Sequence, residues 1–305
     1  MTDSAATPFS GFQLHIPPDS ADDNSQATQF AQTLSEDVYS EGLKHFGERH
    51  FVFPADKAIV WVKFGGSERQ AEGEMQKLAW HWARRERLAG RNETTFIVMQ
   101  LLQAVRLSEC VQYPASECHD LIAEGIQLLR RMPVPDDATP GPYTRDRRLR
   151  LILHPALKDY SATVVYKDID ELQAHITRVL DIACPKAPLP HPAVNLERQL
   201  VFCYCDFNDE NFMFSLDASG RLRLYIIDFE WASFLPVSFL SFALFCEAAD
   251  SWQWITAEPL IQRISHTLPK DNLEVMGHAD DIFWASAHLV GFSESQCYEL
   301  QHPRT

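Results

Sequence analysis

Residues 201–232 constrain the fold more than any other part of the chain, because apolar runs alternate there with polar turn residues. A β-rich run over 201–205 is followed by a polar loop and then by a second apolar run, 212–214. An Asp, a Ser and a Gly within 217–220 supply turn chemistry, after which 222–229 has the composition of another strand. The pattern predicts a loop followed by a β-hairpin.

The register of this hairpin brings polar residues together. With a four-residue turn at 217–220, Asn211 pairs with Ile226. Asp228 then lies on the same face as Asn211, at roughly 7 Å as a diagonal neighbour. Asp206 lies in the loop just before them. A slip of one residue would put Asp228 on the opposite face, so the prediction depends on the length of the turn.

An amide oxygen and carboxylates that converge in this way suit Mg²⁺, which proteins hold with one or two groups plus the phosphates of a substrate. Phosphoryl transfer is the chemistry that such a site favours, since it needs a metal and positioning more than a protein nucleophile. Each polar residue taken singly is better explained as a turn former. The set in this order favours the functional interpretation.

The segments CDFNDENFMF, IIDFEWASFLP and SFLSFAL resemble the fungal members of the aminoglycoside phosphotransferase and choline kinase-like family, which has a protein-kinase-like fold. The resemblance implies that Asp206 is the catalytic base and that Asn211 and Asp228 are metal ligands. The family usually has His two residues before the catalytic aspartate, where this chain has Tyr204. Tyrosine can pack and form a hydrogen bond in that position.

A lysine and a glutamate follow each other in an earlier strand and helix. Lys63 ends the alternating strand 59–64, and the apolar stripe of a helix predicted over 67–87 has Glu72 at its edge, whereas Glu74 points away. An ion pair between Lys63 and Glu72 is therefore a specific possibility, beside the plainer one of a solvated strand end.

The family resemblance extends to this part of the chain, through VKFGGSERQAEGEMQ. It implies that Lys63 contacts nucleotide phosphates and that Glu72 holds the lysine. No G-x-G-x-x-G loop precedes Lys63, which argues against a typical protein kinase. The strand predicted over 94–102 resembles the segment that connects the two lobes, although its residues alone indicate a core strand. The resemblance implies that three of its residues contact adenine: Met99, Gln100 and Leu101.

Composition limits the partners and the compartment. A net charge of −15 argues against nucleic-acid or anionic-membrane binding, and is compatible with a cationic substrate or simply with an acidic, soluble surface. The seven cysteines form no C-x-x-C pair, which indicates free thiols in a reducing compartment. The start of the chain has neither a basic segment nor an apolar run, and no stretch reaches the ~20 apolar residues of a membrane span. We expect a soluble, cytoplasmic protein.

The chain as a whole is predicted to be an α+β protein with a two-lobe, protein-kinase-like fold. We expect a flexible tail over 1–30, a small β-rich lobe over 31–104 and a mainly helical lobe over 105–305. In the second lobe, helices are predicted over 116–132, 168–183 and 236–248. A last helical region reaches residue 299. Four polar residues of that last region are candidates for substrate contacts: Asp280, Asp281, His288 and Glu294.

The expected function is transfer of the γ-phosphoryl group of ATP, with Mg²⁺, to a hydroxyl of a small molecule. In the expected mechanism, Asp206 orients or deprotonates that hydroxyl while Lys63 neutralises the phosphates. One alternative is a kinase-like protein that binds nucleotide, or serves as a scaffold, with weak or no turnover. A metal-dependent hydrolase that uses the same carboxylates is a further alternative, although no residue set suggests a two-metal site.

Overall fold

A computed structural model gives the structure of the protein. It describes residues 13–14, 50–53, 60–65, 67–84, 95–100, 104–144, 150–183, 193–250, 254–287, 289–293 and 297. The chain divides into two compact units, residues 1–103 and residues 104–305. Among the residues described, no helix has both the length and the apolar character needed to cross a membrane.

The first unit contains a four-stranded sheet and one long helix. Its elements are β1 (Gln13–Leu14), β2 (His50–Phe53), β3 (Val60–Gly65), α1 (Ser67–Arg84) and β4 (Thr95–Gln100). The strand order is β1-β4-β3-β2, with β1 and β4 parallel and the other pairs antiparallel. Lys63, on the interior strand β3, pairs with His50 on one side and Ile97 on the other. The helix α1 packs against β3 and β4, and Val62 and Met75 are fully buried.

The second unit combines two small sheets with several helices. Its elements are β5 (Val105–Arg106), α2 (Ala115–Arg130), α3 (Ile169–Ala183), β6 (Leu200–Tyr204), β7 (Phe212–Leu216), β8 (Leu222–Ile226), β9 (Ala232–Pro236), α4 (Val237–Asp250), α5 (Trp254–Ile264) and α6 (Leu273–Ala285). One sheet has the order β5-β7-β8, and the other pairs β6 with β9. The predicted α+β class is confirmed, as are the three helices, whose ends differ by a residue or two from those predicted.

Apolar packing and a capping side chain explain these helices. The helix α4 packs against α5, α6 and β6, and its buried face includes Phe239 and Leu244. At the start of α3, the carboxylate of Asp168 accepts a hydrogen bond from the backbone N–H of Glu171 at 2.8 Å. Such a cap satisfies a donor that the first turn of a helix leaves free.

The strand β9 was not predicted from the sequence. Its five residues are all buried, so the segment shows none of the alternation that identifies a half-buried strand. It pairs antiparallel with β6, and this register sets Tyr204 opposite Ala232. β9 therefore packs beside β6, the strand that precedes the candidate catalytic loop.

The predicted register of the hairpin was wrong by one residue. β7 and β8 pair Leu216 with Leu222 and Phe212 with Ile226, because the connection has five residues, 217–221, instead of four. The N–H of Asp217 donates to the carbonyl of Arg221 at 2.9 Å across it. The backbone of Asn211 consequently lies opposite Ile227, whose N–H donates to the Asn211 carbonyl at 3.0 Å. β8 ends at residue 226, three residues earlier than predicted.

Candidate active site

The loop after β6 is held by side chains that bond to its own backbone. Asp206 Oδ1 accepts a hydrogen bond from the N–H of Asn208 at 3.2 Å, and Asn208 Oδ1 accepts one from the N–H of Glu210 at 3.0 Å. The second bond caps a short 3₁₀ turn, Asp209–Asn211. These bonds fix the loop in one conformation, so Asp206 projects from a defined backbone.

Electrostatics shows that the three predicted residues of this loop and hairpin are close in space. Burial, and then the negative charge of Asp228, raise the pKa of Asp206 to about 6. The N–H of Asn208 and the side chain of Asn211 act in the opposite direction, and the charge of Glu230 adds to the rise. An aspartate with such a pKa ionises within reach of neutral pH, as a general base should. Asp206, Asn211 and Asp228 are therefore brought together.

Asp228 has an unusual backbone conformation. Its φ is 58°, in the left-handed region that non-glycine residues rarely adopt. Because β8 has already ended at Ile226, the alternation of a strand does not determine which way Asp228 points. Asp228 lies near Asp206 even though the predicted register of the hairpin was wrong. Strained backbone of this kind concentrates at functional sites.

The side chains at this place fit a divalent cation. Carboxylate oxygens of Asp228 and Glu230 lie within 4.8 Å of each other, and the neighbouring Asn211 is only 6% exposed. Carboxylate and amide oxygens are the ligands that Mg²⁺ prefers, and a bound cation would offset the repulsion between the like charges. The sequence analysis did not assign Glu230 to the site, although it lies two residues after Asp228.

Tyr204 contacts residues that are next to Asn211 and Asp228 in the sequence. Its hydroxyl donates a hydrogen bond to the carbonyl of Ile227 at 2.6 Å. Its ring makes edge contacts with Phe212 and Phe229, at 6.0 and 5.3 Å between ring centroids. The expectation that tyrosine packs and forms a hydrogen bond in this position is confirmed.

The first unit contains the predicted ion pair. Lys63 Nζ donates to Glu72 Oε1 at 2.9 Å, and Arg69 Nη1 donates to Glu72 Oε2 at 2.7 Å. The three residues are 6%, 1% and 4% exposed, in the order Lys63, Glu72, Arg69. The sequence analysis missed Arg69, although its position one helical turn before Glu72 could have identified it. The glutamate is therefore held by two cations.

The remaining predicted residues are less informative. Met99 and Gln100 lie on β4, opposite Trp61 and Val60 of β3, whereas Leu101 lies outside the described residues. Asp280 and Asp281 lie on α6. Two other substrate candidates, His288 and Glu294, also lie outside the described residues.

Three aromatic rings form a cluster that the sequence analysis did not predict. Tyr160 stacks on Trp231 with 5.1 Å between the ring centroids, and the ring of Trp284 meets Tyr160 edge-on at 5.4 Å. Tyr160 and Trp284 are 43% and 44% exposed. Trp231 is the third residue after Asp228, so their Cα atoms are at most ~11 Å apart. Trp231 thus connects the cluster to the segment that carries Asp228.

Backbone strain and a buried carboxylate oxygen without a partner among the described residues accompany this aromatic cluster. Asp159 and Tyr160 both have positive φ, 50° and 60°. Asp280, one helical turn before Trp284, has a buried Oδ1 atom without a hydrogen-bond partner among the described residues. Burial and the nearby Asp281 raise the pKa of Asp280 to about 6, and a hydrogen bond from Trp284 acts against the rise.

Comparison with known proteins identifies the family. A family model described as "Phosphotransferase enzyme family" matches residues 67–239, which is more than half of the chain. The chain belongs to this family. No curated protein matches it significantly.

Two solved structures are similar at low identity. One is a thermostable mutant of the aminoglycoside phosphotransferase APH(4)-Ia in a ternary complex with AMP-PNP and hygromycin B, at 16% identity and a TM-score of 0.43, covering 74% of this chain and 78% of that one. The other is a Plasmodium vivax ethanolamine kinase, at 13% identity and a TM-score of 0.38, covering 82% and 73% respectively.

Proposed function

We propose that the protein is an ATP-dependent phosphotransferase with a protein-kinase-like fold, which transfers the γ-phosphoryl group of ATP to a hydroxyl of a small molecule. The observation that carries the proposal is Asp206, whose pKa is raised to about 6 beside Asp228, in a chain that belongs to a phosphotransferase family. A base with this pKa is largely ionised at neutral pH and is still able to accept a proton.

The proposed reaction assigns one role to each polar residue. Asp206 orients the acceptor hydroxyl and takes its proton as the oxygen forms a bond to the γ-phosphorus. The bond from that phosphorus to the bridging oxygen breaks, and ADP leaves. Asn211 and Asp228 hold Mg²⁺, with Glu230 as an additional carboxylate beside them. When bound, the cation neutralises charge on the phosphate oxygens.

Lys63 provides positive charge for the phosphates of ATP in this proposal. Glu72 and Arg69 fix its position, since the carboxylate binds both cations at 2.9 and 2.7 Å. A buried ammonium held by a carboxylate has little freedom, so it can stabilise developing charge without first reorganising. Met99, Gln100 and Leu101 contact the adenine ring in the same proposal.

We further propose that the aromatic cluster of Tyr160, Trp231 and Trp284 binds the acceptor, and that this acceptor carries an organic ammonium group. Exposed aromatic rings attract cations through their negative faces. The carboxylate of Asp280, whose Oδ1 has no hydrogen-bond partner among the described residues, lies one helical turn from Trp284. The net charge of −15 also favours a cationic acceptor.

Direct assay of turnover tests the proposal. The purified protein would be incubated with Mg-ATP and a panel of small hydroxyl compounds, half of them ammonium compounds, and phosphorylated products would be detected by mass spectrometry. We expect the wild type to give product with at least one ammonium alcohol. The Asp206→Asn variant should give no product.

Binding of nucleotide separates the proposal from its alternative. A wild-type protein that is stabilised by Mg-ATP against thermal unfolding, yet gives no product across the panel, would favour the nucleotide-binding or scaffold function. A protein that neither turns over nor binds Mg-ATP at millimolar concentration would contradict the phosphotransferase and the nucleotide-binding function, and would favour the scaffold function.

A further inference from the structure

We infer that Tyr204 is a positioning residue, which fixes the backbone conformation of Asp228 and thereby the site for the divalent cation. The inference rests on the proposed function, because Asp228 and Asn211 are the groups proposed to hold the cation. Tyr204 itself is the last residue of β6 and is 1% exposed.

The contacts of Tyr204 surround Asp228 in the sequence. The hydroxyl bonds to the carbonyl of Ile227, the residue before Asp228, at 2.6 Å. The ring packs against Phe229, the residue after it. A third contact, with Phe212, reaches the residue that follows Asn211. The side chain of Tyr204 thus contacts the residues on both sides of Asp228, and the residue that follows Asn211.

Peptide geometry explains how a hydroxyl controls Asp228. The carbonyl of Ile227 and the N–H of Asp228 belong to the same peptide group, which is planar. Holding the oxygen of that group therefore fixes the plane from which the φ of Asp228 is measured. With Phe229 packed against the same ring, Asp228 is constrained on both sides.

The constraint matters because Asp228 adopts an unfavourable conformation. Its φ of 58° persists only where the surroundings impose it. Without the hydroxyl, the peptide before Asp228 would be freer to relax toward the ordinary negative φ. Such a change would rotate the carboxylate away from Asn211 and weaken the cation site.

Binding of a paramagnetic cation tests this without any turnover. Mn²⁺ would be titrated into the wild type and Tyr204→Phe in the presence of a non-hydrolysable ATP analogue, and free Mn²⁺ would be measured by electron paramagnetic resonance. Tyr204→Phe keeps the ring and removes only the hydroxyl, so we expect a dissociation constant about 10-fold higher, as for other groups that orient metal ligands.

The chain offers a matched control in Tyr166. It is also 1% exposed, and its hydroxyl makes a hydrogen bond of the same length, 2.6 Å, to His175. Tyr166→Phe should leave the Mn²⁺ dissociation constant within about twofold of the wild type. An equal weakening in both variants would mean a general loss of stability and would overturn the inference.

Tyr204→His distinguishes positioning by the hydrogen bond from simple packing. Histidine, the usual residue of the family at this place, is smaller than phenylalanine but retains an N–H donor. If the hydrogen bond positions Asp228, the Tyr204→His variant binds Mn²⁺ more tightly than Tyr204→Phe. If packing alone matters, the order of the two variants reverses and the inference fails. A wild type without cation binding would overturn the proposed function together with this inference, whereas cation binding that Tyr204→Phe leaves unchanged would overturn the inference alone.

Discussion

The ammonium group of Lys63 donates a hydrogen bond over 2.9 Å to the carboxylate of Glu72, and both side chains are almost completely buried. A buried ion pair of this kind is poor evidence for stability, because removing two charges from water offsets most of their attraction. Breaking the pair by removing one partner is nevertheless expensive, since the other charge stays buried. The pair is better explained by the proposed role of Lys63 toward phosphates.

Removal of the shared carboxylate should destabilise the protein strongly. Glu72→Ala leaves Lys63 and Arg69 buried without their common partner, so we expect a loss of about 3–5 kcal/mol in the free energy of unfolding. Glu74→Ala is the matched control, because Glu74 lies on the same helix and bonds to Gln70 at 3.1 Å in a half-buried position. Urea unfolding measures the free energy of unfolding of both variants. Equal losses in the two would contradict the role of Glu72 as the common partner of Lys63 and Arg69.

Neutralising Asp206 should abolish turnover and yet stabilise the protein at neutral pH. The folded pKa of about 6 lies above the ordinary value of 3.8, so folding favours the protonated form of the carboxyl. Its stabilising contribution is therefore complete below pH 4 and is lost as the pH rises through 6. Asp206→Asn, measured in EDTA, should gain up to roughly 3 kcal/mol at pH 7.5 and almost nothing at pH 4.

A surface aspartate provides the control for this pH dependence. Asp181→Asn changes an exposed carboxyl on α3, and its effect on stability should be within about 0.5 kcal/mol at both pH values. If Asp206→Asn were no more stable than the wild type at pH 7.5, the raised pKa of Asp206 would be refuted. Retained turnover in that variant would refute its role as the base.

Much of the site could be predicted because its parts are local in the sequence. Lys63 lies on an alternating strand, and Glu72 lies beside the apolar stripe of the next helix, so their periodicities made the ion pair that forms a specific possibility. The loop with Asp206 and Asn211 was likewise marked by its polar residues between two apolar runs. Neither prediction needed knowledge of tertiary contacts.

The rest depends on geometry that local patterns do not carry. The register of the hairpin was missed because the turn after Leu216 has one residue more than its composition suggested, and β9 was missed because it is buried on both faces. The left-handed backbone of Asp228 has no sequence signal, since aspartate adopts that conformation only occasionally. The contacts of Tyr160 with Trp231 and Trp284 join distant segments and follow from the tertiary fold alone.

The strain at Asp228 predicts different effects for two variants that both remove its carboxylate. Glycine adopts a φ of 58° freely, whereas alanine in that conformation costs about 1–2 kcal/mol. Asp228→Gly should therefore be more stable than Asp228→Ala by about 1 kcal/mol in urea unfolding without metal. Both variants should lose the stabilisation that Mg-ATP gives to the wild type. Equal stability of the two would show that Asp228 does not hold the left-handed conformation in solution.

Removal of the Trp284 ring should weaken acceptor binding without affecting the chemical step. In the proposed function Trp284 contacts the ammonium group of the acceptor and none of the reacting atoms, so Trp284→Ala should raise the KM for an ammonium alcohol about fivefold with little change in kcat. Ile255→Ala is the control, because Ile255 has the same 44% exposure on a different helix, α5. An uncharged alcohol of the same shape should show a smaller change in KM with Trp284→Ala, since cation–π attraction requires the charge. If KM rose equally for both alcohols, the aromatic cluster would be binding shape alone, and the ammonium preference would be wrong.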